Sequence, residues 1–395
     1  VTDRRVYLDH AATTRLLPAA AQAWAAAAAQ VGNPSSLHTS GRRARRLVEE
    51  SRESIADDLG VRPSEVVFTS GGTEADNLAV KGFAWLGDPL GRQGSRRRIL
   101  ASPIEHHAVL DAVLWLQEQG QPVEWIPVDA LGRVDLDYLQ QHLDSDVALC
   151  TVMWANNEVG TVQPVADIAA ACREAGVPFH SDAVQALGAL PLDLTLPGLT
   201  SVALSGHKIG APVGVGALIL DRDAALVPLQ HGGGQEREVR SGTVDAASIA
   251  AFAVAVHEAV TEQVVSAAHM AMLRDRLIEG ITGLAPDAVV NGDLVDRLPG
   301  NVHVTFPGCE GDALLMLLDA AGVECSTGSA CTSGIPEPSH VLIAMGVDPR
   351  TARGSLRFSL SRNSTDADVD RVLEVLPAVL DRAARASSPR LRSRV

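Results

Sequence analysis

Lys81 and Lys208 are the only lysines in the chain; arginine supplies the other 31 of its 33 basic residues. Arginine stays protonated and cannot condense with a carbonyl, whereas lysine can. Lys208 stands in Ser205-Gly206-His207-Lys208, directly after an apolar run, while Lys81 lies late in a helical pattern and reads as solvated. Lys208 is therefore the residue able to hold an aldehyde cofactor as an imine. Asp182, in Ser181-Asp182-Ala183-Val184-Gln185, ends another apolar run 26 residues earlier. A carboxylate there either pairs with a pyridinium nitrogen, making the ring an electron sink, or caps the next helix. Gln185 is spaced to donate to a ring oxygen. Gly71-Gly72-Thr73 joins a strand to a helix, where free N–H groups and the helix dipole favour an anion such as phosphate. Ser205 and His207 can add donors to the same anion. His106 opens a later helix, and its flat ring can stack on an aromatic cofactor and shuttle protons. Asn156 and Asn157 follow a further apolar run.

The thiols divide by context. Cys150 and Cys172 lie in apolar stretches and read as buried filler, and Cys309 falls in a turn that leaves its role open. Cys331 lies in Cys325-Ser326-Thr327-Gly328-Ser329-Ala330-Cys331-Thr332-Ser333-Gly334, a small, polar segment able to move and expose a thiol. Cys325 and Cys331 lack the C-x-x-C spacing of a zinc knuckle, so no resident metal is expected.

The elements that must position these residues alternate. Strands are expected over 65–69, 98–101, 123–128, 147–153, 177–180, 201–204 and 215–220, with helices over 73–82, 105–119 and 165–175 between them. That alternation predicts βαβ units and a largely parallel sheet, whose ligands bind beyond the carboxyl ends of the strands. From about residue 245 the pattern changes to one long helix over 246–280, then strands near 300–306 and 355–360 and helices near 311–321 and 366–380, a smaller α+β unit.

Composition limits the alternatives. With 46% hydrophobic and 21% charged residues, the 395-residue chain is globular, with room for two or three domains. A net charge of −15 argues against direct nucleic-acid binding. The arginine runs at 42–46 and 96–98 read as solvated faces. No run approaches a membrane span, the N-terminal residues lack the apolar core of a signal peptide, and five widely spaced cysteines fit reduced thiols. Cytoplasmic residence without membrane contact is the expectation.

Read in order, the segments resemble the class I (NifS/IscS-type) cysteine desulfurases of the pyridoxal-phosphate-dependent aminotransferase class V family. The resemblance runs from Tyr7-Leu8-Asp9-His10-Ala11-Ala12-Thr13-Thr14 through Thr69-Ser70-Gly71-Gly72-Thr73-Glu74, Asn156-Asn157-Glu158-Val159-Gly160 and Ser205-Gly206-His207-Lys208. It continues through Gly232-Gly233-Gly234-Gln235-Glu236-Arg237 and Arg240-Ser241-Gly242-Thr243 to Arg357-Phe358-Ser359-Leu360. It implies an α/β fold of the type I aminotransferase kind. A large domain (15–255) would hold a mainly parallel seven-stranded sheet, and 1–14 with 256–395 would form a smaller α+β domain carrying a mobile cysteine loop at about 325–338.

It also implies roles. Lys208 would carry pyridoxal 5'-phosphate and move the substrate Cα proton; Cys331 would be the persulfide-forming nucleophile and His106 the ring-stacking acid/base. Asp182 would partner the pyridinium, with Gln185 and Asn157 at the ring oxygen. Gly72, Thr73, Ser205 and His207 would cradle the phosphate, Thr243 would reach the phosphate of the other subunit of a homodimer, and Arg357, with Asn157, would bind the substrate carboxylate. The substrate would be L-cysteine, the products L-alanine and a persulfide on Cys331. The recipients would be sulfur-acceptor proteins of iron–sulfur cluster assembly or tRNA thiolation. Three positions depart from the pattern: Val184 where threonine is common, 209–214 without its usual lysine, and Cys325 where serine is common. Two alternatives differ in the thiol. In another pyridoxal-phosphate lyase or aminotransferase, such as a selenocysteine lyase, Cys331 would be incidental. In a non-catalytic scaffold it would ligate an iron–sulfur cluster with a partner.

Overall fold

The computed structural model describes residues 5–87, 96–328 and 338–387; Cys331 lies outside them. The chain opens with strand β1 (Val6–Tyr7) and helices α1 (Pro18–Ala28) and α2 (Thr39–Leu59). An alternating series follows: β2 (Val66–Thr69), α3 (Gly72–Gly87), β3 (Arg98–Ala101), α4 (His107–Glu118), β4 (Val123–Trp125), α5 (Leu136–His142), β5 (Val147–Thr151), α6 (Val165–Ala175), β6 (Phe179–Asp182), β7 (Leu199–Ser205) and β8 (Gly216–Leu220).

These strands form one seven-stranded sheet in the order β2-β8-β7-β6-β5-β3-β4. From β7 to β4 every pairing is parallel, and only β8 runs against both its neighbours. The central strands are buried along their whole length, because helices cover both faces and a buried parallel sheet needs continuous apolar runs. Successive side chains serve opposite layers. Val66 and Phe68 pack with α2, α6 and α7 (Ala246–Thr261) on one face, while Val67 packs with α3 and α4 on the other.

Two strands differ from the sequence expectation. The strand expected at 177–180 is shifted to Phe179–Asp182. Val177 N–H instead bonds Cys172 O at 2.8 Å, closing α6 after Gly176, whose φ is +64°, and Pro178 has no N–H for a ladder. β4 stops at Trp125 rather than residue 128, just before Ile126-Pro127. Lys81, expected to be solvated, lies over the Trp115 ring at 4.8 Å, a cation–π contact that half-buries its stem.

The single helix expected over 246–280 is two, α7 and α8 (Gln263–Leu284), which meet at 68°. Each serves a different core. Phe252 and Val256 belong to the large sheet's layer, whereas Leu273, Leu277 and Ile281 belong to a second cluster. Just before the break, Thr261 Oγ1 donates back to His257 O at 2.7 Å, a bond that bends helices. The second core is built with β9 (Val289–Val290), β10 (Asn301–Thr305), α9 (Gly311–Ala320), β11 (Val323–Glu324), β12 (Ser355–Ser359) and α12 (Asp366–Ser387), whereas α10 (His340–Ala344) and α11 (Pro349–Ala352) pack in a smaller cluster with Ile104, Met153 and Val159. β12, β10 and β9 form an antiparallel sheet, and β1 returns from the far N-terminus to pair in parallel with β11. Among the described residues no single helix is long and apolar enough to cross a membrane, and no group of three potential ligands could hold a metal ion.

Leu277 is fully buried in the second core. Leu277→Ala should lower unfolding free energy by about 2–5 kcal/mol, the cost of a cavity at a packed leucine, read as a fall in the urea midpoint.

Candidate active site

The carboxyl ends of β2, β3, β5, β6 and β7 open on one cleft, and nine of the twelve residues selected from sequence line it. β7 ends on Ser205, and one 3-10 turn later Lys208 projects its amine to Ala11 O at 2.5 Å and Ala12 O at 2.7 Å. Burial, reinforced by the Arg357 charge, pushes this amine down to about 8 against the opposing pull of Asp182 and Asp9. Near neutral pH an appreciable fraction is therefore the uncharged, nucleophilic amine.

Asp182 closes β6 and accepts the Val184 N–H at 2.8 Å, so one carboxylate oxygen does cap the following turn. Burial pushes its carboxyl up to about 6, although the Val184 bond and Lys208 act against that. The side chain thus calls for a cationic hydrogen-bond donor, as a protonated pyridine nitrogen is. Behind it Asp76 bonds His180 Nε2 at 3.1 Å, and Glu105 accepts the Met153 N–H at 2.7 Å. Burial pushes both of these carboxyls well up. Gln185 Nε2 donates to Ala11 O at 2.9 Å, the carbonyl that also takes the lysine.

The turn from β2 into α3 is shaped for close approach. Gly71 has φ +150°, and a Cβ on Gly72 would stand 2.7 Å from Val184 Cγ2. The first-turn N–H groups of α3 have no intrahelical acceptor, and Thr73 and Ser205 bring hydroxyls to the same end of the cleft. His207 Nδ1 lies 3.2 Å from Thr13 Oγ1, and burial and then Lys208 push its imidazole down to about 4. His106 caps α4, its Nδ1 accepting the Ala108 N–H at 3.1 Å, which leaves the proton on Nε2. Crowding by the protein, then Lys208, pushes this ring also down to about 4, although one side is open to water. Asn157 lines the cleft. The preceding Asn156 is structural: its Oδ1 takes the N–H groups of Glu158 and Val159 at 2.9 Å each.

Three selected residues are not part of this wall. Arg357, on β12, is buried and joined to the cleft through Asn157, whose carbonyl accepts Nη1 at 2.9 Å; Nη2 meets Asp9 Oδ1 at 2.9 Å, and Nε has no partner among the described residues. Thr243 is exposed on the loop before α7. Cys331 lies outside the described residues, but the chain on either side of it is placed. Ser326 pairs with the Arg357 backbone at 2.7 and 3.1 Å, and Ser339 Oγ donates to Glu158 Oε2 at 2.5 Å. Sequence reasoning did not select Asp9, Asp76, Glu105 or the Ala11 and Ala12 carbonyls.

A neutralisable amine, a buried carboxylate asking for a cationic donor and a glycine-lined helix N-terminus fit pyridoxal phosphate. Comparison with known proteins agrees. The aminotransferase class-V family model matches residues 6–372. An IscS-like cysteine desulfurase of Mycobacterium tuberculosis is 58% identical over 96% of this chain and 98% of its own length. The cysteine desulfurase IscS of Methanosarcina thermophila is 42% identical over 98% and 94%. Among solved structures, a NifS-like protein superposes with a TM-score of 0.88 at 37% identity, covering 95% of this chain and 99% of that one. The chain belongs to the aminotransferase class-V family. Within it, the activity is that of a NifS/IscS-type cysteine desulfurase, and the cofactor is pyridoxal phosphate.

The rate at which cofactor-free protein condenses with a small aldehyde at Lys208 should rise with pH and level off above about 8, because only the unprotonated amine reacts. Lys208→Arg should abolish this adduct, followed by mass spectrometry.

Proposed function

We propose that the cleft performs desulfuration with the residues chosen from sequence. Bound pyridoxal phosphate supplies an electron sink for negative charge formed at the substrate Cα. Lys208 holds that cofactor and, once released, its amine takes the Cα proton of L-cysteine and returns it. Asp182 keeps the ring nitrogen protonated, and Gln185 and Asn157 bond the ring oxygen. His106, neutral above pH of about 4, stacks on the ring and exchanges a proton through Nε2. Gly72, Thr73, Ser205 and His207 hold the phosphate. Arg357 orients the substrate carboxylate beside Asn157.

Cys331 attacks the substrate sulfur as a thiolate. The new S–S bond forms as the Cβ–S bond breaks, the Cβ electron pair is protonated, and L-alanine leaves behind a persulfide. The chain flanking Cys331 is anchored at Arg357, which bonds the Asn157 carbonyl, and at Glu158, which follows Asn157, and this supports delivery of the thiol to the same cleft.

The working unit is read as a homodimer in the cytoplasm. The exposure of Thr243 suits a contact with the phosphate of the second subunit. The persulfide passes to an acceptor protein serving iron–sulfur cluster assembly or tRNA thiolation. The observation that carries the residue assignment is the half-buried Lys208 amine, held by the Ala11 and Ala12 carbonyls in the same cleft as Asp182.

Cys331→Ser should retain the bound-cofactor absorbance and lose alanine formation from cysteine by at least about 1,000-fold, as expected for removal of a nucleophile. Undiminished alanine release would end the assignment of Cys331. Sedimentation equilibrium reads the dimer, and transfer of labelled persulfide sulfur to a bound partner identifies the acceptor.

A further inference from the structure

An acid stands in the first turn of α3, at the seat assigned above to the cofactor phosphate. Glu74 directly follows Thr73. Its carboxylate accepts the Ser70 N–H at 2.7 Å and meets Arg240 Nε at 2.8 Å and Nη2 at 3.5 Å. Each of the two paired side chains is only 17% exposed. Burial acts to raise the Glu74 carboxyl, but the bonds from Arg240 and Ser70 outweigh it and hold the group below its ordinary range. An ionised carboxylate next to an anion seat opposes a bound phosphate, more strongly when partly shielded from water. The arginine cancels that charge.

Arg240 belongs to the loop that carries Thr243, and this loop is tied down twice. At its other anchor the buried Glu236 receives both Arg52 Nη groups at 2.8 Å and the Phe68 N–H at 2.9 Å. Between the anchors Arg237 and Glu238 take φ values of +55° and +61°, left-handed backbone that disfavours side chains with a Cβ. Such strain persists where surrounding contacts over-determine it. Here the two ion pairs and the Phe68 bond do so, fastening the loop to α2 and β2 on one side and to the start of α3 on the other.

We propose that Arg240 is a positioning residue for the cofactor phosphate, neutralising Glu74 at the α3 N-terminus and steadying the loop from which Thr243 faces the second subunit. The inference rests on the reading of that helix end as the phosphate seat. It assigns Arg240 no contact with the phosphate itself.

The test compares pyridoxal phosphate with pyridoxal, which lacks the phosphate, by absorbance titration of full-length protein freed of cofactor. Arg240→Gln should weaken pyridoxal phosphate at least about tenfold and leave pyridoxal within about twofold, since only the phosphorylated form meets the uncovered Glu74 charge. Adding Glu74→Gln to Arg240→Gln should recover most of the loss, and Arg240→Lys should lose least. Unchanged pyridoxal phosphate binding in Arg240→Gln overturns the proposal, as does an equal loss of both ligands, which marks a structural role only. Failure of Glu74→Gln to restore binding overturns the neutralising role. A wild type that does not prefer pyridoxal phosphate to pyridoxal removes the phosphate seat and this inference together, an outcome distinct from a phosphate-selective wild type with an indifferent Arg240→Gln.

Discussion

Removing a lysine ammonium from water is the constraint on which the site depends. The cost is met in part by the Ala11 and Ala12 carbonyls and by the nearby charges of Asp182 and Asp9, and what remains appears as a depressed pKa. Burial acts in the opposite sense on Asp182, and crowding by the protein together with the Lys208 charge keeps the imidazoles of His106 and His207 neutral. One physical cause, burial at the carboxyl edge of a parallel sheet, therefore prepares a nucleophile, an acid seeking a cation, and two uncharged proton carriers. The fold supplies that burial because its strands are covered on both faces right up to their ends.

The second core contributes what the sheet cannot. Arg357 lies on β12, yet it is joined to the large unit through the Asn157 carbonyl. Glu158 binds Ser339, and Ser326 is paired with the Arg357 backbone. Short contacts at three successive points thus couple the recognition of a substrate carboxylate to the placement of the chain on both sides of Cys331. The bend between α7 and α8 is the covalent counterpart of this arrangement, one helical face turned toward each core.

Much of this was legible in the residues because it depends on neighbours in sequence. The apolar runs located the strands, and each run that ended in a polar residue located part of the cleft: Asp182 after Phe179, Lys208 after Leu204, Gly71-Gly72 after Phe68. Where local pattern misled, a local cause overrode it. Pro178 shifted β6, and Trp115 drew in the stem of Lys81. The bend at Glu262 had no strong signal, since both helices are apolar and only their different partners separate them. Asp9 and Arg240 were illegible for another reason. Their partners are 348 and 166 residues away, and no periodicity records such pairings. Arg357 and Thr243 were selected by resemblance alone, and neither lines the cleft within one chain.

The pairing of β1 with β11 sets the order in which a nascent polypeptide becomes competent. Val6 lies beside Val323, and Asp9 bridges to Ser359. The carbonyls that hold the lysine are therefore synthesised well before the strands that fix them in place. The central sheet can assemble from contiguous βαβ units while synthesis continues, but the reactive amine stays unclamped until β12 has emerged. Coenzyme capture is thereby deferred until the second core has been synthesised.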